Sequence, residues 1–172
     1  MADVLSAFSK LSEKHEIMKA IKKSLEYIDS RAVYVGIPQN NNSRERSSEE
    51  GQSQVTNAEL LFIHTNGSPI NNIPPRPVIE PAIKNDQQRL NKMFNEATIS
   101  VIKGKCSEAD KKLEEIGIRG QNVSRAWFTN PDNGWAPNSP VTIKAKSSSR
   151  PLIDTGELRK SITYVVDKGG KR

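Results

Sequence analysis

The sequence predicts an α+β fold, in which a small, mainly antiparallel sheet is packed by three long helices beside a disordered polar loop. In three long stretches apolar residues recur at helical spacing, and in two short stretches apolar residues occupy every second position, as in a strand. The predicted helices are residues 4–28, 78–103 and 107–127, and the predicted strands are residues 32–37 and 161–166. Two strands are too few for a stable free sheet, so a further strand must come from a weaker candidate at 141–145 or from another subunit.

Length and composition indicate one domain spanning residues 1–172. A hydrophobic content of 34% beside 27% charged residues is lean for a compact monomer. We therefore expect that part of the chain is disordered and that part of its core is completed by a partner. The single cysteine, Cys106, excludes an intramolecular disulfide, and two histidines are too few for a zinc cage. No stretch resembles a signal peptide or a membrane span, which predicts assembly in a reducing cytoplasm without membrane association.

The first helix is predicted from apolar residues that recur at spacings of three, four and seven. These residues are Val4, Phe8, Leu11, Met18, Ile21, Leu25 and Ile28. Such a stripe predicts a helix of about seven turns that packs against a neighbour along its length. His15 lies on the same stripe, and we interpret it as a border or core histidine rather than a ligand.

The first strand, residues 32–37, is predicted because Val33, Val35 and Ile37 alternate with the residues between them. The segment that follows, residues 39–54, contains no hydrophobic residue and cannot bury enough surface to offset its ordering entropy. We predict a flexible loop there, with a partner contact through this loop as the alternative.

A short apolar helix is predicted at 56–65, with Gly67 as its C-terminal stop. The turn at 71–77 contains three prolines, which fix an extended path. Arg76 lies between two of these prolines. It is predicted to brace the turn by donating hydrogen bonds to carbonyls or to a carboxylate.

Each of the two later long helices carries one irregularity. The helix at 78–103 has a weak point at 85–89, where apolar residues are missing. In the helix at 107–127, Gly120 lies on the apolar stripe, which predicts close approach of another helix.

Trp127 and Trp135 lie at a turn-rich loop, residues 128–138. Either indole could stack on a nucleic-acid base. Because only 5% of the chain is aromatic, we interpret both side chains as packing anchors instead.

Residues 151–166 carry local signals for a turn, a short helix and a strand. Asp154 is predicted to cap the helix, with Glu157 reaching back to the Asp154 amide. Ile153 and Leu158 occupy the flanking apolar positions of such a start. The Asp-Thr-Gly sequence that begins at Asp154 also matches the active-site loop of an aspartic protease. That chemistry needs two carboxylates sharing a proton, and the short remainder of the chain argues against it.

This stretch resembles the C-terminal signature of the head-tail joining, or virion morphogenesis, family of phage neck and tail-completion proteins. Its residues are Pro151, Leu152, Asp154, Thr155, Gly156, Glu157 and Leu158, preceded by Asn138, Ser139, Pro140, Thr142 and Lys144. A second patch resembles the family's glycine and Pro-x-Arg-Pro turn, and consists of Gly67, Pro75, Arg76 and Pro77. Where the family has an acidic residue before the glycine, this chain has His64, Thr65 and Asn66.

The resemblance implies a structural virion protein that joins the phage head to the tail. It implies a homo-oligomeric ring, with six-fold symmetry favoured over twelve-fold, and assembly in the bacterial host cytoplasm into the virion neck. The implied partners are a head-closure connector protein, a tail tube or tail terminator protein, and genomic DNA passing through the lumen. We expect no catalytic residue, no metal site and no cofactor.

The alternative function is non-specific DNA binding through the basic C-terminal region. From residue 141 onward, eight Lys or Arg stand against three acidic residues, and the chain ends in a basic tail at 167–172. Basic side chains attract phosphate through charge and counterion release. The candidates for facing DNA or a partner are Lys144, Lys146, Arg150, Arg159, Lys160 and Lys168.

Overall fold

The computed structural model describes residues 2–42, 55–146 and 148–169, with side chains from residue 12 onward. The described residues form seven α-helices and two strands. The helices are α1 (Ala2–Asp29), α2 (Asn57–Asn66), α3 (Ile79–Asn85), α4 (Gln87–Ile102), α5 (Cys106–Trp127), α6 (Pro140–Ala145) and α7 (Glu157–Ser161). The strands are β1 (Ala32–Gly36) and β2 (Thr163–Asp167). The predicted α+β fold with a small antiparallel sheet is confirmed.

The two strands pair antiparallel, with Val33 opposite Val166 and Val35 opposite Tyr164. Val33 and Val35 pack against the core, whereas the outward side chain of Val165 is 47% exposed. The predicted alternation of both strands is therefore confirmed. In the described part of the chain the sheet has no third strand.

The predicted strand candidate at 141–145 is wrong, because this segment forms α6. The hydroxyl of Ser139 accepts a hydrogen bond from the Thr142 amide at 3.2 Å, and Pro140 occupies the first helical turn. A Ser cap followed by Pro is a strong helix start. The side chain of Val141 is 77% exposed, so the alternation of apolar residues here does not face a core.

The predicted second long helix is divided into α3 and α4 at Asp86. This break falls within the predicted weak point at 85–89. Both carboxylate oxygens of Asp86 accept hydrogen bonds from the guanidinium of Arg119 on α5. The paired charges hold the junction of α3 and α4 against the middle of α5.

The core consists of two clusters of buried residues, and both contact the same face of the sheet, through Val35 and through Val33. The first contains Val78, Ala82, Trp127, Phe128, Leu152, Leu158 and Ile162. The second contains Leu90, Ala97, Leu113 and Ile116, and lies between α4 and α5. The predicted apolar stripe of α5 is therefore buried, and α5 joins the two clusters.

Two glycines let α5 lie directly on the sheet. A Cβ atom at Gly120 would lie 2.7 Å from Cγ2 of Val35, and one at Gly117 would lie 2.1 Å from Cδ2 of Tyr164. The predicted close approach at Gly120 exists, but its nearest neighbour is strand β1 rather than another helix. Gly117 was not singled out from the sequence.

Of the described side chains of helix α1, those that pack against the rest of the chain lie near its C-terminal end. The Tyr27 hydroxyl donates to Asp110 at 3.0 Å, and Nε of Arg31 donates to the same carboxylate at 2.9 Å. Residues 12–20 are all exposed, and so is His15 among them. The predictions of packing along the whole helix and of a border or core histidine are thus wrong for the described side chains.

The polar segment 39–54 is described only at its start. Residues Gln39–Asn41 form a 3-10 turn, and the Asn42 side chain accepts a hydrogen bond from the Ala58 amide at 2.7 Å. The predicted flexible loop therefore cannot begin at residue 39. Its remainder, residues 43–54, lies outside the described residues.

No helix within the described ranges combines the length and the hydropathy needed to cross a membrane.

Candidate functional site

The two segments that carry the resemblance meet in the fold, and Arg76 connects them to the loop before α6. Its Nη2 donates to the carbonyl oxygens of Ala136 at 2.9 Å and of Pro137 at 3.2 Å, and its Nε donates to Ala136 at 3.2 Å. The residue is only 6% exposed, and burial lowers the pKa of its guanidinium. The predicted bracing of carbonyls by Arg76 is confirmed.

The Arg76 contact belongs to a network that we call the signature cluster: residues 67–77, 135–138 and 149–158. Within it, Nε1 of Trp135 donates to the carbonyl of Pro77 at 3.0 Å. The Trp135 ring also meets Phe128 edge to face, with 5.8 Å between ring centroids. Trp127 is buried in the first core cluster. The two indoles are thus packing anchors, as predicted, rather than a platform for bases.

Gly67 closes α2 in a conformation that requires glycine. Its φ is 75°, and a Cβ atom there would lie 2.9 Å from the Ile73 carbonyl oxygen and from the Pro75 nitrogen. Its amide donates to the Ile63 carbonyl at 2.7 Å, which ends the helix as predicted. The glycine and the prolines of the second patch therefore shape the backbone that carries Arg76.

The predicted cap at Asp154 is wrong. Helix α7 begins at Glu157, and the position before it is Gly156 in a left-handed conformation, with φ of 81° and no side-chain cap. The Thr155 hydroxyl accepts a long hydrogen bond of 3.4 Å from the Glu157 amide. Asp154 lies three residues before the helix, with the left-handed glycine between them, and it bonds to none of the first-turn amides.

The neighbouring apolar residues do pack as expected, although not around an Asp154 cap. Leu158 is buried in the first core cluster, and Ile153 packs partly against it. Leu152 is also buried there, and its φ of 57° is unusual for a side chain of this size. This segment of the signature therefore acts by placing apolar side chains in the core.

A small cavity of about 180 Å³ lies beside this segment and is lined by His64, Lys146, Asp154 and Glu157 among others. Asp154 is exposed and makes no hydrogen bond or ion pair with another described residue. The ranges that the structure describes contain no group of three or more His, Cys, Asp or Glu able to hold a metal ion. Among the described residues, no second carboxylate is therefore bonded to Asp154 in this cavity.

The predicted basic candidates do not act as one group. Lys168 pairs with Glu114 at 3.5 Å, and Nε of Arg159 donates to the Arg125 carbonyl at 2.9 Å. Arg125, which the sequence reasoning missed, donates through Nη2 to the Lys160 carbonyl at 2.8 Å. Lys144 and Arg150 are exposed and Lys146 is half-buried, while residues 170–172 of the basic tail lie outside the described chain.

An apolar groove opens between α2 and the pair α3–α4. It has a volume of about 960 Å³. Its apolar walls include Leu61, Phe62, Ile79, Ile83, Leu90 and Phe94. Phe62 is 69% exposed, although aromatic side chains usually bury most of their surface. The sequence showed the apolar residues of these helices but not that some of them line an open groove.

A second apolar row lies along α1. We call it the outer row, and it consists of Val4, Leu11, Met18 and Leu25, spaced seven residues apart. Of its described side chains, Met18 is 59% exposed and Leu25 is 50% exposed.

No family model, no curated protein and no solved structure matches this chain.

Proposed function

We propose that this protein is a structural component of a long-tailed phage that joins the head to the tail. It acts by binding, as a homo-oligomeric neck or tail-completion ring between the head-closure connector and the tail tube or terminator. Six-fold symmetry is favoured and twelve-fold is the alternative. Its place is the virion neck, after assembly in the host cytoplasm.

The observation that carries this proposal is that the signature cluster stabilises the fold, whereas separate apolar side chains are exposed to solvent. The resemblance residues are used to hold the fold: Arg76 is bonded to two backbone carbonyls, and Leu152 and Leu158 are buried. The apolar groove, which borders this cluster at Pro77, is open to solvent through Phe62, and Met18 and Leu25 of the outer row are exposed. A protein whose signature cluster stabilises the fold, and whose exposed apolar side chains remain available to other proteins, suits a binding role.

The proposal is tested by a head-tail joining assay. Phage carrying a disrupted copy of this gene are expected to accumulate separate heads and separate tails. Adding the purified wild-type protein to that lysate should restore joined particles and infectivity. Joined particles at normal yield without the protein would refute the head-tail role.

Non-specific DNA binding stays a second candidate, because hydrogen bonds to backbone carbonyls bring Arg125, Arg159 and Lys160 together. Phosphate-driven binding weakens steeply as salt increases, whereas association through apolar surfaces does not. A salt titration of binding to duplex DNA separates the two functions. Replacing Arg159 and Lys160 by Gln should remove DNA binding, if it exists, without changing the mass of the assembled protein.

A further inference from the structure

We propose that the outer row of α1 in one copy of this chain docks into the apolar groove of a second copy. This inference deepens the proposed ring and rests on its self-association, because it assigns the two surfaces that meet. The contact is a helix-in-groove interaction, in which an amphipathic helix inserts apolar side chains spaced by one or two turns. Each copy supplies one helix and one groove.

The outer row is a different face of α1 from the one that packs within the chain. Ser24 donates to the Val101 carbonyl of α4 at 3.3 Å, and Ile28 packs against the second core cluster. At 100° per residue, Met18 and Leu25 lie roughly 100° around the helix from this packed face. The row is therefore free to bind another molecule while the base of α1 stays fixed.

The base of α1 is held firmly enough for the helix to act as a rigid arm. The Arg31 guanidinium lies 3.3 Å from the centre of the Tyr27 ring, and both side chains bond to Asp110 of α5. The Arg31 and Asp110 side chains are only 11% and 26% exposed. Their ion pair is thus better shielded from water than a surface pair. Residues 12–20 extend beyond this anchor with no buried side chain.

The groove matches the row in length and chemistry. The part of its wall on α4 runs from Gln87 to Phe94, which at 1.5 Å per residue is about 10 Å. The part of the row from Met18 to Leu25 covers the same number of residues and hence about the same length. Both surfaces present large apolar side chains, so covering each with the other removes apolar area from water on both sides.

A second copy is favoured because the rest of this chain cannot fill the groove. The undescribed segment next to α2, residues 43–54, has no apolar residue, and the end at 170–172 is Gly-Lys-Arg. Pairing two α1 helices along the same row would bring either Lys14 or both His15 and Lys22 into the seam, which weakens such a coiled coil. A row that meets a different surface is a heterologous contact, and heterologous contacts generate closed rings when the rotation closes.

The test uses two variants of the full chain that each block one surface. The arm variant carries Met18→Glu and Leu25→Glu, and the groove variant carries Phe62→Glu. All three side chains are at least half exposed, so both variants are expected to fold, as checked by circular dichroism. Val165→Glu, at an exposed apolar position on β2, is the matched control.

We expect wild type and the Val165 control to form the full oligomer, measured by light scattering on a sizing column. Each blocked variant alone should be a monomer. An equimolar mixture should give a species of twice the monomer mass and nothing larger, because one intact arm and one intact groove remain. Arms that paired with arms would leave the groove variant oligomeric on its own. A groove that binds only a foreign protein would leave every sample monomeric, and either result would overturn the proposal.

The outcomes also separate this contact from the proposed function. If both blocked variants still form the full oligomer, the arm-groove contact is wrong while the ring can stand. If the mixture behaves as expected but wild-type protein does not restore head-tail joining, the contact stands and the phage function is wrong. Monomeric wild type at all accessible concentrations would remove the contact and the ring together.

Discussion

Replacing Arg76 by Ala should destabilise the domain more than the same change at any other arginine, apart from Arg31 and Arg119. Those two form ion pairs with Asp110 and Asp86. The substitution removes three hydrogen bonds to the carbonyls of Ala136 and Pro137 from a side chain that is 94% buried. Hydrogen bonds to a charged group contribute roughly 1.5–3 kcal/mol each. Both carbonyls lie on exposed residues and regain water, so we expect a net loss of about 2–4 kcal/mol.

A domain of this length loses roughly 2–4 °C of melting temperature for each kcal/mol. Arg76→Ala should therefore lower the midpoint by roughly 4–16 °C in a calorimetric or circular-dichroism melt. The melting midpoint of Arg76→Lys should lie between those of wild type and Arg76→Ala. An ammonium keeps the charge but lacks the planar fork of donors that bonds two carbonyls at once. Arg150→Ala is the matched control, since Arg150 is exposed and its side chain makes no described bond. An Arg76→Ala melt equal to that control would refute the bracing role.

Three further changes test the local account of the fold. Gly117→Ala should cost about 1–3 kcal/mol by urea denaturation, because the new methyl meets the Tyr164 ring. Gly36→Ala has open space around it and should be neutral, so equal losses in the two would count against the close approach. Thr56→Ala breaks a hydrogen-bonded capping box with Glu59 and should cost about 1 kcal/mol, whereas Asp154→Ala should change stability by less than about 0.5 kcal/mol. A larger loss of stability from Asp154→Ala than from Thr56→Ala would instead support the predicted cap at Asp154. Deleting residues 44–52 should leave the melting temperature nearly unchanged, because closure entropy depends weakly on length and Asn42 already bonds to Asn57 and Ala58. A loss of several degrees would show that the segment packs.

The sequence predicted the elements whose apolar pattern agrees with their tertiary environment. The stripe of α5 and the alternation of β1 and β2 were predictable, because the same side chains that set the period are buried on one face. Arg76 was also predictable, since a cation fixed between two prolines has few partners except nearby carbonyls. Each of these features was predicted from a pattern within its own segment, although the Arg76 partners lie 60 residues away.

The errors come from residues whose partners are distant in sequence. The stripe of α1 predicted burial, but only the α4 and α5 contacts decide which face of that helix is covered, and they leave Met18 exposed. Asp154 satisfied a capping pattern that the left-handed Gly156 overrides. The Asp86 and Arg119 pair joins positions 33 residues apart, and no local pattern connects them. The apolar groove is likewise a product of how α2 lies against α3 and α4.

The central claim, that this chain functions as a closed ring of identical subunits, is tested most directly by electron microscopy of the purified wild-type protein. Class averages of end-on particles give the symmetry by direct counting. The account predicts closed rings of one size, with six subunits favoured and twelve as the alternative, that persist when the salt concentration is raised. Particles that remain monomeric, or that associate only when DNA is added, would contradict it.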